Sequence, residues 1–75
     1  MTDRSIVEIT TEFIKLDQFL KFVGLVGSGT DAKLIIQSEE VLVNGEPCMQ
    51  RGKKLRDGDT VDVGDEGFQI QAKGS

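Results

Sequence analysis

The segment that most limits the fold is Val41-Leu42-Val43-Asn44-Gly45-Glu46. A short apolar run ending in Asn-Gly specifies a tight hairpin, because a type I′ turn holds both central residues at positive φ, which Asn and Gly tolerate best. A strand therefore ends at Val43 and the chain reverses. The returning segment is strongly basic: Arg51, Lys53, Lys54 and Arg56 put four cations into six residues with no acid among them. The hairpin fixes where this positive loop stands.

The rest of the chain has the opposite sign. Nine Lys and Arg face thirteen Asp and Glu over 75 residues; without the four loop cations, five face thirteen, a formal charge of −8. An isoelectric point near 4.6 argues against indiscriminate binding to nucleic acid, but a local basic patch can still dock one shaped partner. A short charge run is also common as a solvated turn.

Seventy-five residues allow one domain whose core is near the lower limit for unaided stability. Cys48 is the single cysteine, so no internal disulfide and no cysteine-based zinc site is expected, and a reducing cytoplasm is the expected setting. No apolar stretch is long enough to span a bilayer, and Met1-Thr2-Asp3-Arg4 does not open like a signal peptide.

Residues 5–10 are rich in β-branched side chains and read as a strand. Leu16, Phe19, Leu20 and Val23 then recur at the spacing of one buried helical stripe, and Gly24 and Gly27 end that helix. Ser28, three residues before Asp31, is a variant of the capping box, in which hydroxyl and carboxylate both take orphan backbone donors. It opens a second helix running to about Ser38, with Ala32, Ile35 and Ile36 on its core face and Lys33 and Gln37 on the opposite flank. After Ser38 the period falls to two residues, at Val41 and Val43, Val61 and Val63, and Phe68 and Ile70, predicting three more strands. Asp57-Gly58-Asp59 and Gly64-Asp65-Glu66-Gly67 read as turns, and Lys73-Gly74-Ser75 as a frayed end.

Nothing in this order suggests catalysis. With no His and no Tyr the usual general bases are missing, and Cys48 has no histidine partner. Asp57, Asp59, Asp62, Asp65 and Glu66 read as solvated charge in turns or on a strand's outer face. Asp57-Gly58-Asp59 lacks the remaining ligands of a calcium loop. No cofactor or metal is expected. The start of the second helix is more suggestive: Ser28, Gly29 and Thr30 offer backbone N–H groups and two hydroxyls at the positive end of a helix dipole, with Lys33 one turn inside. Ser28 as a plain cap beside a tight turn is the simpler alternative. Lys15 opens the first helix on the flank of Phe22, which reads as core rather than as a base-stacking ring, and Lys21 points away from the apolar stripe.

Taken in order, Lys15-Leu16-Asp17-Gln18-Phe19-Leu20, Ser28-Gly29-Thr30-Asp31-Ala32-Lys33, Val41-Leu42-Val43-Asn44-Gly45 and Leu55-Arg56-Asp57-Gly58-Asp59-Thr60-Val61 resemble the S-four RNA-binding domain, named for ribosomal small-subunit protein four. The likeness is greatest to its stand-alone bacterial members, the YbcJ-like and YaaA-like proteins, and covers roughly residues 8–72. The resemblance implies an α+β fold, the αL motif, with two short helices packed on a small, mostly antiparallel sheet, and a non-catalytic protein that grips structured RNA, ribosomal or transfer RNA among the options. Matched residue by residue, it points to Lys15, to Ser28, and to Arg51, Lys53, Lys54 and Arg56 as RNA contacts. Gly29 departs from the arginine that often follows the serine in the wider superfamily, so backbone contact would replace a side chain there. Gly29, Thr30 and Lys33 complete the expected RNA-binding set. A monomer is expected.

Two rivals compete with that reading. A ubiquitin-like sulfur carrier or other β-grasp domain shares the Val-Asn-Gly-Glu turn, but it needs a free Gly-Gly end where this sequence ends Lys73-Gly74-Ser75, and it begins with a hairpin rather than two helices. A module docking an acidic protein could use the same basic loop.

Overall fold

The computed structural model describes residues 4–72. The expectation for Lys73-Gly74-Ser75 lies outside them. Nine elements follow in order: β1 (Ser5–Ile9), β2 (Ile14–Lys15), α1 (Leu16–Phe22), α2 (Gly29–Gln37), β3 (Val41–Val43), β4 (Glu46–Pro47), β5 (Lys54–Leu55), β6 (Thr60–Val63) and β7 (Glu66–Ala72). Five strands form one sheet in the order β1-β7-β6-β3-β4, and β2 and β5 form a separate ribbon. Only β1 and β7 run parallel. This is an α+β fold with two helices on a mostly antiparallel sheet.

The register explains the core. Val41 pairs with Val63, Val43 with Val61, Val61 with Phe68, and Val7 with Ile70. Because side chains alternate along a strand, these residues and Ile9 share one face. Leu16, Phe19 and Leu20 of α1 and Ala32 and Ile36 of α2 close over it, and all are buried. The Phe19 and Phe68 rings meet edge to face at 5.5 Å, a favoured aromatic geometry. Ile35 is only partly buried against this core. Phe22, expected in the core, is 62% exposed; the buried stripe of α1 runs through Leu16, Phe19 and Leu20, and the residue two past Leu20 is turned off it.

Backbone chemistry sets the helix ends. At the C-terminus of α1, Leu25 N–H donates to Leu20 C=O at 3.1 Å and Gly24 N–H to Lys21 C=O at 3.1 Å, the paired bonds of a Schellman motif. The Ser28 hydroxyl accepts from Asp31 N–H at 3.2 Å at the start of α2. The reciprocal bond expected from the Asp31 carboxylate is not among the hydrogen bonds of the described residues, so the cap is one-sided.

Asn44 and Gly45 take φ of 54° and 85°, as the hairpin requires. Three of the five carboxylates read as solvated charge have structural partners instead, while Asp65 and Glu66 are exposed as expected. Asp59 accepts from Arg56 N–H at 2.7 Å, and Asp57 from Ala72 N–H at 3.0 Å. Asp62 pairs with Arg4 at 2.8 Å on the sheet's open face, a bond that raises the guanidinium pKa further, first through the hydrogen bond and then through charge. Gly67 lies under that pair: a Cβ there would meet Asp62 Oδ1 at 2.9 Å and Arg4 Cγ at 3.1 Å, so a side chain at this position would push the ion pair aside. No helix among the described residues is long and apolar enough to cross a membrane.

Candidate functional site

The four loop cations are brought to the start of α1. Lys15, the residue before the first helical turn, is extended and makes no side-chain cap, leaving the first N–H groups of the helix in need of partners. The basic loop supplies them: Leu16 N–H donates to Lys53 C=O at 2.9 Å and Asp17 N–H to Arg51 C=O at 3.1 Å. The Asp17 carboxylate takes the next donor, Gln18 N–H, at 2.8 Å. The loop is thus the cap of α1, and the side chains of Arg51 and Lys53 are left exposed.

The β2–β5 ribbon continues the arrangement. Ile14 pairs with Leu55 and Lys15 with Lys54; Leu55 is fully buried while both lysines are exposed. Two like charges directly opposite each other disfavour the pairing, and a bound anion would relieve that repulsion. Strand alternation puts Phe13 on the same side as Lys15, and Arg56 on the same side as Lys54. The Lys54 ammonium lies 4.9 Å from the centre of the Phe13 ring and the Arg56 guanidinium 5.7 Å from it. Both fall within cation–π range. Lys15, Lys54, Arg56, Arg51 and Lys53 therefore converge around one ribbon, with an aromatic ring holding two of them.

Phe13 escaped the sequence reading. Its signal was the alternation Phe13-Ile14-Lys15, a triplet too short to register as a strand. Phe22, by contrast, stands clear of the core on α1 near a small groove it shares with Glu8, Thr10 and Ile14.

The second group of candidates lies elsewhere. Ser28, Gly29, Thr30 and Lys33 are exposed on the first turns of α2, and no hydrogen bond or ion pair among the described residues joins them to the ribbon. The ribbon meets the N-terminus of α1, and a seven-residue helix carries the chain about 10 Å away before α2 begins. Ser28 already spends its hydroxyl as an acceptor, whereas the space beside Gly29 is open. A side chain at position 29 would meet nothing. Among the described residues no three His, Cys, Asp or Glu side chains cluster as metal ligands.

Comparison with known proteins fits this geometry. Over 62 residues the chain is 48% identical to a Bacillus subtilis (strain 168) protein described as "Probable ribosome maturation protein RlbA", covering 83% of this chain and 84% of that protein. The fold matches the solution structure of Escherichia coli YbcJ with a TM-score of 0.70 and 26% identity, over 96% of this chain and 92% of the other. That structure is described as revealing an αL motif involved in RNA-binding. The two helices and mostly antiparallel sheet found here are thus the αL arrangement. A family model for the S4 domain matches residues 7–71, nearly the whole described chain, and with these matches the chain belongs to the S4 domain family.

Proposed function

We propose that this chain is a non-catalytic RNA-binding protein, a monomeric single domain of the cytoplasm, that docks structured RNA through Lys15, Arg51, Lys53, Lys54 and Arg56. Ser28, Gly29, Thr30 and Lys33 at the start of α2 provide a second contact with the phosphate backbone. Kinship with a ribosome maturation protein favours ribosomal RNA as the partner. The observation that carries this reading is the convergence of five cations on one ribbon in a chain that is otherwise acidic.

The physics of the partner agrees. A-form RNA hides its base edges in a deep, narrow groove, so a small domain reads chiefly phosphate spacing and backbone shape. Cations fixed by backbone bonds suit that task, because little side-chain and loop freedom is lost when the RNA arrives. An acidic protein partner would also meet a positive ribbon, but it would not reproduce a dependence on RNA structure.

The test replaces Arg51, Lys53, Lys54 and Arg56 together by glutamine. All four are exposed and such substitutions rarely cost much stability, so the variant should melt near the wild-type temperature. Affinity for a structured RNA should collapse, and the logarithmic salt slope should become shallower by roughly 0.7 to 0.9 for each phosphate no longer neutralised. A folded variant with wild-type affinity and salt dependence would make the basic loop a solvated turn and end this reading.

A further inference from the structure

At the edge of the sheet, between the Asn-Gly turn and the basic loop, lies a cleft of about 590 Å³. Its size falls within the range of small-ligand clefts, roughly 300–1,000 Å³. Its walls differ in character. Lys53 and Gln50 border it on the loop side, Glu46 on the turn side, and Pro47 and Met49 add apolar surface. Met49 is 56% exposed, so its flexible apolar side chain is free to pack on whatever enters the cleft.

Asn44 also borders the cleft, but both ends of its amide are committed. Its oxygen accepts from Thr60 N–H at 3.0 Å and its nitrogen donates to Asp59 at 3.2 Å. It is therefore a rigid wall. No hydrogen bond among the described residues engages the Glu46 carboxylate, the Gln50 side-chain amide or the Lys53 ammonium, so these three are polar groups available to a ligand.

The charges select the occupant. A phosphate drawn to Lys53 cannot enter further, because Glu46 repels it. A nucleobase is not excluded in this way: its face would pack on Met49 and its edge N–H groups would meet the Glu46 carboxylate. Guanine alone among the four bases presents two adjacent donors, N1–H and the N2 amino group, that match both oxygens of a carboxylate. Uracil presents one N–H flanked by two carbonyls, which a carboxylate repels.

We propose that this cleft receives one unpaired nucleobase, preferentially guanine, from the RNA held by the basic loop. The proposal rests on the RNA-binding reading above and adds a base-selective site to it. It makes the protein a reader of a bulge or loop beside a helix rather than of a duplex alone, in keeping with RNA recognition in which unstacked bases carry the sequence information.

The experiment measures fluorescence anisotropy with three versions of one RNA hairpin: a fully paired stem, a stem with a single bulged G, and a stem with a single bulged U. The bulged-G hairpin should bind roughly tenfold more tightly than the other two. Glu46→Gln should erase the ratio between G and U, and that ratio is the readout because removing a carboxylate near RNA strengthens all affinities together. Met49→Ala should weaken the bulged-G hairpin and spare the paired stem. Equal wild-type affinity for all three hairpins would overturn the proposal while leaving RNA binding intact, as would a G preference that survives Glu46→Gln. Failure to bind even the paired stem would overturn the RNA reading itself.

Discussion

In the five-stranded sheet, Val7, Ile9, Val41, Val43, Val61, Val63, Phe68 and Ile70 line one face and two helices cover them. In the β2–β5 ribbon, two residues pair from each strand, Lys15 stands opposite Lys54, and Leu55 is the one fully buried side chain. The sheet is held by burial, the largest favourable contribution to folding. The ribbon is anchored to that core through Leu55 and, in part, Ile14, but its charged side is organised by two carbonyls that cap a helix and by one ring beneath two cations. Stability thus resides in one region and charge presentation in the other, so the two should respond to mutation independently.

Phe19→Ala gives the largest expected effect and tests the first half of that division. Phe19 is fully buried, and such truncations cost about 3 to 5 kcal/mol, much of the total stability of a small domain. Thermal denaturation should show a variant largely unfolded or melting far below wild type. A melting temperature within a few degrees would mean that the core does not depend on this ring.

Ser28→Ala probes the boundary between the two roles. Losing the bond to Asp31 N–H should cost about 1 kcal/mol of stability, read from chemical denaturation. RNA affinity should fall as well, since the same N-terminal donors face the phosphate backbone in the proposed complex. Unchanged affinity with lowered stability would confine Ser28 to capping and leave the ribbon as the whole interface.

The smallest effect is expected from Phe13→Leu, and it is the most discriminating. Each cation–π interaction at an exposed site is worth about 0.5 to 1 kcal/mol, but here both serve to position cations rather than to supply them. RNA affinity should fall roughly threefold with an unchanged salt slope, because the number of phosphates neutralised stays the same, and Phe13→Tyr should restore it. A shallower slope would show that the ring governs how many cations reach RNA, not how well they are held.

The two regions also differed in how visible they were in the sequence. The sheet announced itself through two-residue alternation in β3, β6 and β7, and α2 through the Ser28 cap and its apolar spacing, because these patterns are local. The strands β2, β4 and β5 are two residues each, too short for any period to be read, and the pairing of β2 with β5 joins segments some forty residues apart. That pairing is what creates the site, so the four loop cations were legible but their junction with Lys15 and Phe13 was not. Asp57 looked like surplus charge for the same reason, since its partner Ala72 N–H is remote in sequence, as is the Asn44 amide that donates to Asp59; the Arg56 N–H that also donates to Asp59 is local, a turn bond the charge pattern did not reveal. Phe22 was misplaced because an aromatic beside an apolar stripe carries no local mark of which way it faces.

The capping of α1 by Arg51 and Lys53 uses their carbonyl oxygens, atoms that every residue possesses. The helix is therefore indifferent to which side chains project from those two positions. Evolution or design could exchange them for neutral, aromatic or acidic groups and keep the same scaffold, turning a cationic ledge into one suited to another partner. In this sense the loop behaves as an interchangeable socket whose mounting is independent of its contacts.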